Sequence, residues 1–75
     1  MSSKIKEIMA KAFKVPVETI NESSSQDNIE NWDSIHHVQM IVLLEREFDI
    51  TIPDDQVGHM INFKFIEHIV RKCHG

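Results

Sequence analysis

Cys73 is the only cysteine of this 75-residue chain, so no internal disulfide can staple it and nothing in it calls for an oxidising compartment. A chain of this length is close to the lower limit at which a hydrophobic core alone sustains a fold. Residues 1–75 are therefore expected to form one domain in which most of the apolar side chains serve a single core.

Those side chains recur at helical spacing. Ile5, Ile8, Met9, Ala12 and Phe13 form one stripe with lysines opposite, which predicts a first amphipathic helix over Ser3–Phe13. Val15 precedes Pro16 and is pushed out of the helical region, so that helix ends near Lys14. A second helix is predicted from Asp33 or Ser34 to Phe48, with Val38, Met40, Ile41, Leu44 and Phe48 on the core face. Ile35 and Val42 fall outside that face, beside Gln39 and Arg46. A last helix starts after Asn62, a good cap, and carries Phe63, Ile66, Ile69, Val70 and Cys73, with Gly75 free to end it. Between the last two, Ile50-Thr51-Ile52 alternates like a strand but has no partner strand, so an extended loop is expected. Asp54 and Asp55 after Pro53 suit the first turn of a short helix limited by Gly58. The predicted fold class is all-α: a small bundle of three main helices plus one short helix.

The stretch between Lys14 and Trp32 has no periodicity and is rich in Ser, Asn and Asp. Val17, Ile20, Ile29 and Trp32 are spaced along it as anchors onto the core. Connections this long in compact domains are functional or are secured by their own side chains.

Composition excludes several classes of function. Net charge is −4, and the acids crowd between Val15 and Phe63, where Arg46 is the only base; an acidic middle repels nucleic acid and attracts basic protein surfaces. The longest apolar run, Met40–Leu44, is far too short to span a bilayer, so no membrane insertion is expected and the chain reads as cytoplasmic. Autonomous catalysis has no support in the spacing of Ser, His and acidic residues. His36 and His37 are adjacent and point to different sides of a helix, and His68, Cys73 and His74 lack the paired spacing of structural zinc sites, so no metal is expected. His36, His59 and His74 are expected in solvent, His37 at the edge of the core, and Trp32 as a core plug under the long loop.

Asp33-Ser34-Ile35 is the motif that bears on function. A serine at the first position of a helix presents its hydroxyl where unpaired N–H groups and the positive end of the dipole gather, a favourable place for a phosphate. By itself Asp-Ser before an apolar run is also an ordinary helix cap. Together with the helix that follows, its Glu45-Arg46-Glu47-Phe48-Asp49 end and the Ile52-Pro53-Asp54 sequence, it resembles the acyl carrier proteins, and the resemblance runs from about Ile5 to Val70.

That resemblance implies a non-catalytic carrier with 4′-phosphopantetheine, derived from coenzyme A, on Ser34, and with Asp33 assisting the transfer by helping to hold magnesium. Ile35 and Val42, with Gln39 and Arg46 beside them, would form the partner-binding face. Implied partners are a phosphopantetheinyl transferase, an acyl- or aminoacyl-loading ligase and acyltransferases that present basic surfaces, around a monomeric carrier whose core shelters an apolar cargo. Asn31-Trp32 stands where fatty-acid carriers often have Gly-Ala and peptidyl carriers Gly-Gly. His36, His37, Gln39 and Arg46 stand where housekeeping fatty-acid carriers are often acidic or neutral. The expected setting is a specialised lipid, polyketide or polysaccharide-modification pathway. A peptidyl or aminoacyl carrier, and an unmodified helical module binding a partner helix through Ile35 and Val42, are the alternatives.

Overall fold

A computed structural model describes residues 2–74. The chain runs through α1 (Ser2–Phe13), a single 3-10 turn (Val17–Thr19), α2 (Ser34–Phe48), α3 (Asp54–Val57) and α4 (Phe63–His74). The three main helices are as the apolar periodicity predicts and the short one is where Pro53, Asp54 and Asp55 place it; the 3-10 turn is an addition. The expected end of α4 at Gly75 lies outside the described residues.

Both long N-terminal helices stop without glycine. Lys14 and Asp49 take left-handed backbone, with φ of 57° and 52°, and each chain then turns back: the Val15 amide donates to the Ala10 carbonyl and the Ile50 amide to the Glu45 carbonyl, both at 3.1 Å. These bonds satisfy carbonyls that a helix end leaves open. Val15 and Ile50, just beyond the stops, pack against the core. The α4 start is capped as expected, the Phe65 amide donating to Asn62 Oδ1 at 2.8 Å.

One core collects Ile5, Met9 and Phe13 of α1, Met40 and Leu44 of α2, and Phe63, Ile66 and Val70 of α4, with Ile52 and Met60 from the segments around α3. Ile20, Ile29 and Trp32 anchor the long connection as expected. Val17 does not. It is 42 % exposed, because the 3-10 turn in which it sits directs its side chain outward and Ile20, just after the turn, enters the core instead. The connection is also held by its own polar groups. The Asn21 amide donates to the buried Ser24 hydroxyl, and the Gln26 and Phe63 amides donate to the Ile61 and Ser24 carbonyls, stitching the loop to the start of α4. Ile50–Ile52 forms no strand, as expected, and the Ile52 amide donates to Glu45 Oε2 at 2.8 Å.

A second correction concerns Val38, expected on the core face of α2. It is 57 % exposed. Met40 and Leu44 point into the bundle, and a residue two positions before Met40 lies about 200° around the helix from it. Val38 therefore joins Ile35 and Val42 on the outer side.

Trp32 and His37 tie the loop, α2 and α3 together. Trp32 stacks on Phe13, ring centroids 4.6 Å apart, and its indole N–H donates to His37 Nδ1 at 2.9 Å. An indole nitrogen only donates, so Nδ1 is the acceptor and the imidazole proton sits on Nε2. From there it donates to the Val57 carbonyl at 2.7 Å. His37→Ala leaves a buried indole N–H without its acceptor and the Val57 carbonyl with only its 3.3 Å bond from the Met60 amide, and is expected to cost about 1–3 kcal/mol. Denaturant unfolding followed by Trp32 fluorescence measures it, and an unchanged midpoint would show that solvent replaces the imidazole at no cost.

Candidate functional site

The exposed start of α2 is built by its cap. Asp33 has extended backbone and its carboxylate accepts the His36 amide at 2.9 Å, satisfying one of the free donors of the first turn. The His36 ring closes on the same oxygen, Nδ1 to Oδ1 at 2.7 Å. Contrary to the expectation that it lies in solvent, His36 is half-buried, because the i to i+3 spacing across the first turn brings its imidazole onto the capping carboxylate. Its amide first, and then its ring, hold the Asp33 carboxyl below the ordinary carboxylate range.

Linkage fixes the sign of the pH dependence. A depressed carboxyl pKa contributes stability that is fully present at neutral pH and is lost as pH falls below the ordinary value of 3.8 through the folded one. Asp33→Asn keeps a capping oxygen and has no carboxyl to protonate. Its melting temperature between pH 6 and pH 2 is expected to fall less steeply than that of the wild type. Parallel acid limbs would show that the Asp33 cap does not contribute.

Ser34 follows as the first residue of α2, and its side chain is exposed. It stands between two shallow depressions. One is lined by Ser34, Ile35, Val38 and Gln39; the other, towards α3, by Gln26, Asp33, Ser34, His37, Gly58 and Ile61. A hydroxyl that is open to solvent, at the positive end of a 15-residue helix, suits a covalently attached phosphate. The site therefore fits a phosphoserine-linked prosthetic group. Among the described residues no cluster of three or more His, Cys, Asp or Glu side chains could hold a metal ion.

The outer side of α2 gathers the remaining candidates. Ile35, Val38 and Val42 are 68 %, 57 % and 44 % exposed, and Gln39 and Arg46 are exposed beside them. The acids of α2 are engaged elsewhere: Glu45 accepts the Ile52 amide, and Glu47 faces Lys4 of α1 at 3.9 Å. The strip is thus apolar with no free carboxylate of its own helix within it. From the sequence, Ile35 and Val42 are placed on this strip but Val38 on the core face, although its i+3 and i+7 spacing with them completes a contiguous surface. Asn31 has a structural part, its side-chain amide donating to the Phe13 carbonyl at the end of α1 at 2.7 Å. Asn31, Trp32 and His37 thus form one connected support behind Ser34 through Phe13.

Comparison with known proteins agrees with this geometry. A family profile described as "Phosphopantetheine attachment site" matches residues 3–60. An acyl carrier protein of Sulfurovum sp. (strain NBC37-1) is 35 % identical over 71 residues, covering 87 % of this chain and 92 % of that protein. One from Lactobacillus acidophilus (strain ATCC 700396 / NCK56 / N2 / NCFM) is 41 % identical over 54 residues, covering 72 % and 68 %. Among solved structures, a chain from a structure described as "The ishigamide ketosynthase/chain length factor" superposes with a TM-score of 0.79 over 99 % of this chain and 93 % of that one, at 23 % identity, a likeness of fold. A profile match over most of the chain, two carrier relatives and a helix that opens on an exposed Asp-Ser pair together place this protein in the acyl carrier protein family, as a non-catalytic carrier of phosphopantetheine.

Proposed function

We propose that Ser34 is the attachment residue and that the protein carries thioester-linked acyl groups between the enzymes of a specialised biosynthetic pathway, as a single domain and a monomer in the cytoplasm. The observation that carries this reading is the exposed Ser34 at the head of α2 with the apolar strip Ile35, Val38 and Val42 directly beside it. The attached group supplies a flexible arm and a terminal thiol, which holds cargo as a thioester. The chain's own residues supply the anchor, the cap and the docking face. Asp33 fixes the first turn that presents Ser34 and offers the transferase a carboxylate next to the hydroxyl. The strip offers partners an apolar contact within reach of the arm, and tethering keeps the cargo at high effective concentration around it.

The partners on this reading are a phosphopantetheinyl transferase, a loading ligase and acyltransferases. The test is the intact mass after incubation with a broad-specificity transferase and coenzyme A. A gain of one arm supports the carrier role; an unchanged mass favours an unmodified interaction module.

Gln39 and Arg46 support the specialised setting. They put an amide and a cation, not carboxylates, beside the apolar strip, and charge complementarity governs encounter rate and partner choice. The wild type is expected to be a poor acceptor for a fatty-acid-pathway acyltransferase. Gln39→Glu combined with Arg46→Glu should raise the transfer rate on the order of tenfold at low ionic strength and by less as salt screens the added charge. Efficient wild-type transfer with no gain in the double variant would remove this support.

A further inference from the structure

We propose that the part of the α2 strip beyond Ile35 docks a partner with an acidic surface, one that sets an apolar projection on Val38 and Val42 and carboxylates opposite Lys11 and Arg46. This deepens the carrier reading by naming the surface chemistry of the enzyme that the strip receives, and it rests on that reading for calling the partner an enzyme. The surface has the form of a trough. The exposed Val38 and Val42 face the last turn of α1, and Gln39, Leu43, Lys11 and Ala12 complete a shallow, mostly apolar depression between the two helices.

Charge around this trough differs from that of the molecule as a whole. The net charge is −4, but exposed acids that produce it are displayed elsewhere: Glu18, Glu22, Asp27 and Glu30 along the long connection, and Asp54 and Asp55 on α3. At the trough the exposed ionised groups are cations. Lys11 lines one wall, and Arg46 stands one turn beyond Val42. Among the described residues neither takes part in a salt bridge. The carboxylates nearest to them are turned away or matched. Glu45, on the α3 side of Val42, is half-buried and accepts the Ile52 amide. Glu7 and Glu47 lie in the adjoining depression past Leu43, where Lys4 and Lys11 stand with them.

Helical geometry fixes what a partner must present. Val42 and Arg46 are i and i+4 on α2, and Lys11 lies across the trough on α1, so the two cations flank the apolar contact on different sides. Their methylene stems add to the apolar area while their heads stay in solvent. A partner with lysines or arginines at these places would bring like charges together as the apolar contact closes. Carboxylates there meet both cations, and the Arg46 guanidinium offers them a planar fork. Opposed charges of this kind act on encounter and selection more than on affinity, so the trough discriminates among partners that share the same apolar projection.

The test uses two leucine-faced helical peptides that differ only in the residues flanking the leucines, glutamates in one and lysines in the other. Each is titrated into the full chain and followed by backbone amide NMR at Lys11, Val38, Val42 and Arg46. The glutamate peptide is expected to bind there more tightly, on the order of fivefold, with the advantage shrinking as salt is added. Lys11→Glu combined with Arg46→Glu should reverse the preference, and Lys11→Gln combined with Arg46→Gln should abolish it. These are changes at exposed positions, and the undisturbed remainder of each spectrum verifies the fold. Val38→Ser should weaken both peptides alike, since it removes apolar contact and no charge. Equal affinity of the two peptides at the trough, a preference for lysine there, or no shifts there with either peptide would overturn the inference. Intact mass of the same preparation after treatment with transferase and coenzyme A reads the carrier role separately. A chain that gains the arm without the charge preference overturns this inference alone. One that shows the preference without gaining the arm overturns the carrier reading and supports an acidic partner for an unmodified module.

Discussion

Ser34→Ala is expected to take up no arm at all under conditions in which the wild type is fully converted. The chain has other serines, and their surroundings separate them from Ser34. Ser24 is buried, with its hydroxyl accepting the Asn21 amide. The Ser25 hydroxyl accepts the Asp27 amide within the loop. Ser2 also begins a helix, but its hydroxyl is half-buried and donates to Glu67 of α4. Ser3 lies within α1, and Ser23 lies in the long connection. Ser34 alone combines an exposed hydroxyl, the first position of a long helix and a capping aspartate immediately before it. The substitution removes a solvent-facing oxygen, so its effect on stability should be about 0.5 kcal/mol or less. Mass spectrometry and a thermal melt on the same sample read both quantities. An arm found on the alanine variant would assign the attachment to another residue, and a large drop in melting temperature would show that Ser34 supports the fold.

The helices are legible in the sequence because each buries a stripe whose period the residues display. Their ends are legible where proline or a capping side chain marks them, as at Val15-Pro16 and Asn62. Direction is harder to read. Val38 reads as a core residue by its apolar character, but the helical period places it about 200° from Met40 and beside Ile35 and Val42, on the outer side where it is found. The turn at Val17–Thr19 has no periodic signal, so Val17 reads as an anchor when Ile20 performs that role. Contacts between separate segments leave no trace in any local window. The Asn31–Phe13 and His37–Val57 bonds join residues 18 and 20 positions apart, and no spacing rule announces them. The Asp33–His36 contact is within reach of sequence reasoning, since an imidazole three residues after a capping aspartate is on the same side of the first turn. Ser34, by contrast, stands out in the sequence itself, because its position depends only on the helix start that Asp33 creates.

Phe13→Ala should be the most damaging single change in this set. The ring is fully buried, and large-to-small changes at such aromatic positions cost about 3–5 kcal/mol. A domain of this length has a total stability of roughly 4–11 kcal/mol, so the variant is expected to melt at least about 12 °C lower. The loss does not stop at the cavity. Phe13 carries the stacked face of Trp32, and Trp32 in turn orients His37, whose Nε2–H holds the end of α3. Removing the ring loosens the platform on which that sequence of contacts stands, so Trp32 emission should shift to the red before global unfolding. The same reasoning predicts that Phe13→Ala and His37→Ala are not additive: once Trp32 has lost its stack, the His37 hydrogen bond has less left to lose, and the double variant should be less destabilised than the sum of the two. Chemical denaturation of the four proteins in the cycle measures this directly. Strict additivity would mean that Trp32 does not transmit between the end of α1 and α3, and a Phe13→Ala cost below about 1.5 kcal/mol would mean that the site collapses around the missing ring instead of keeping a cavity.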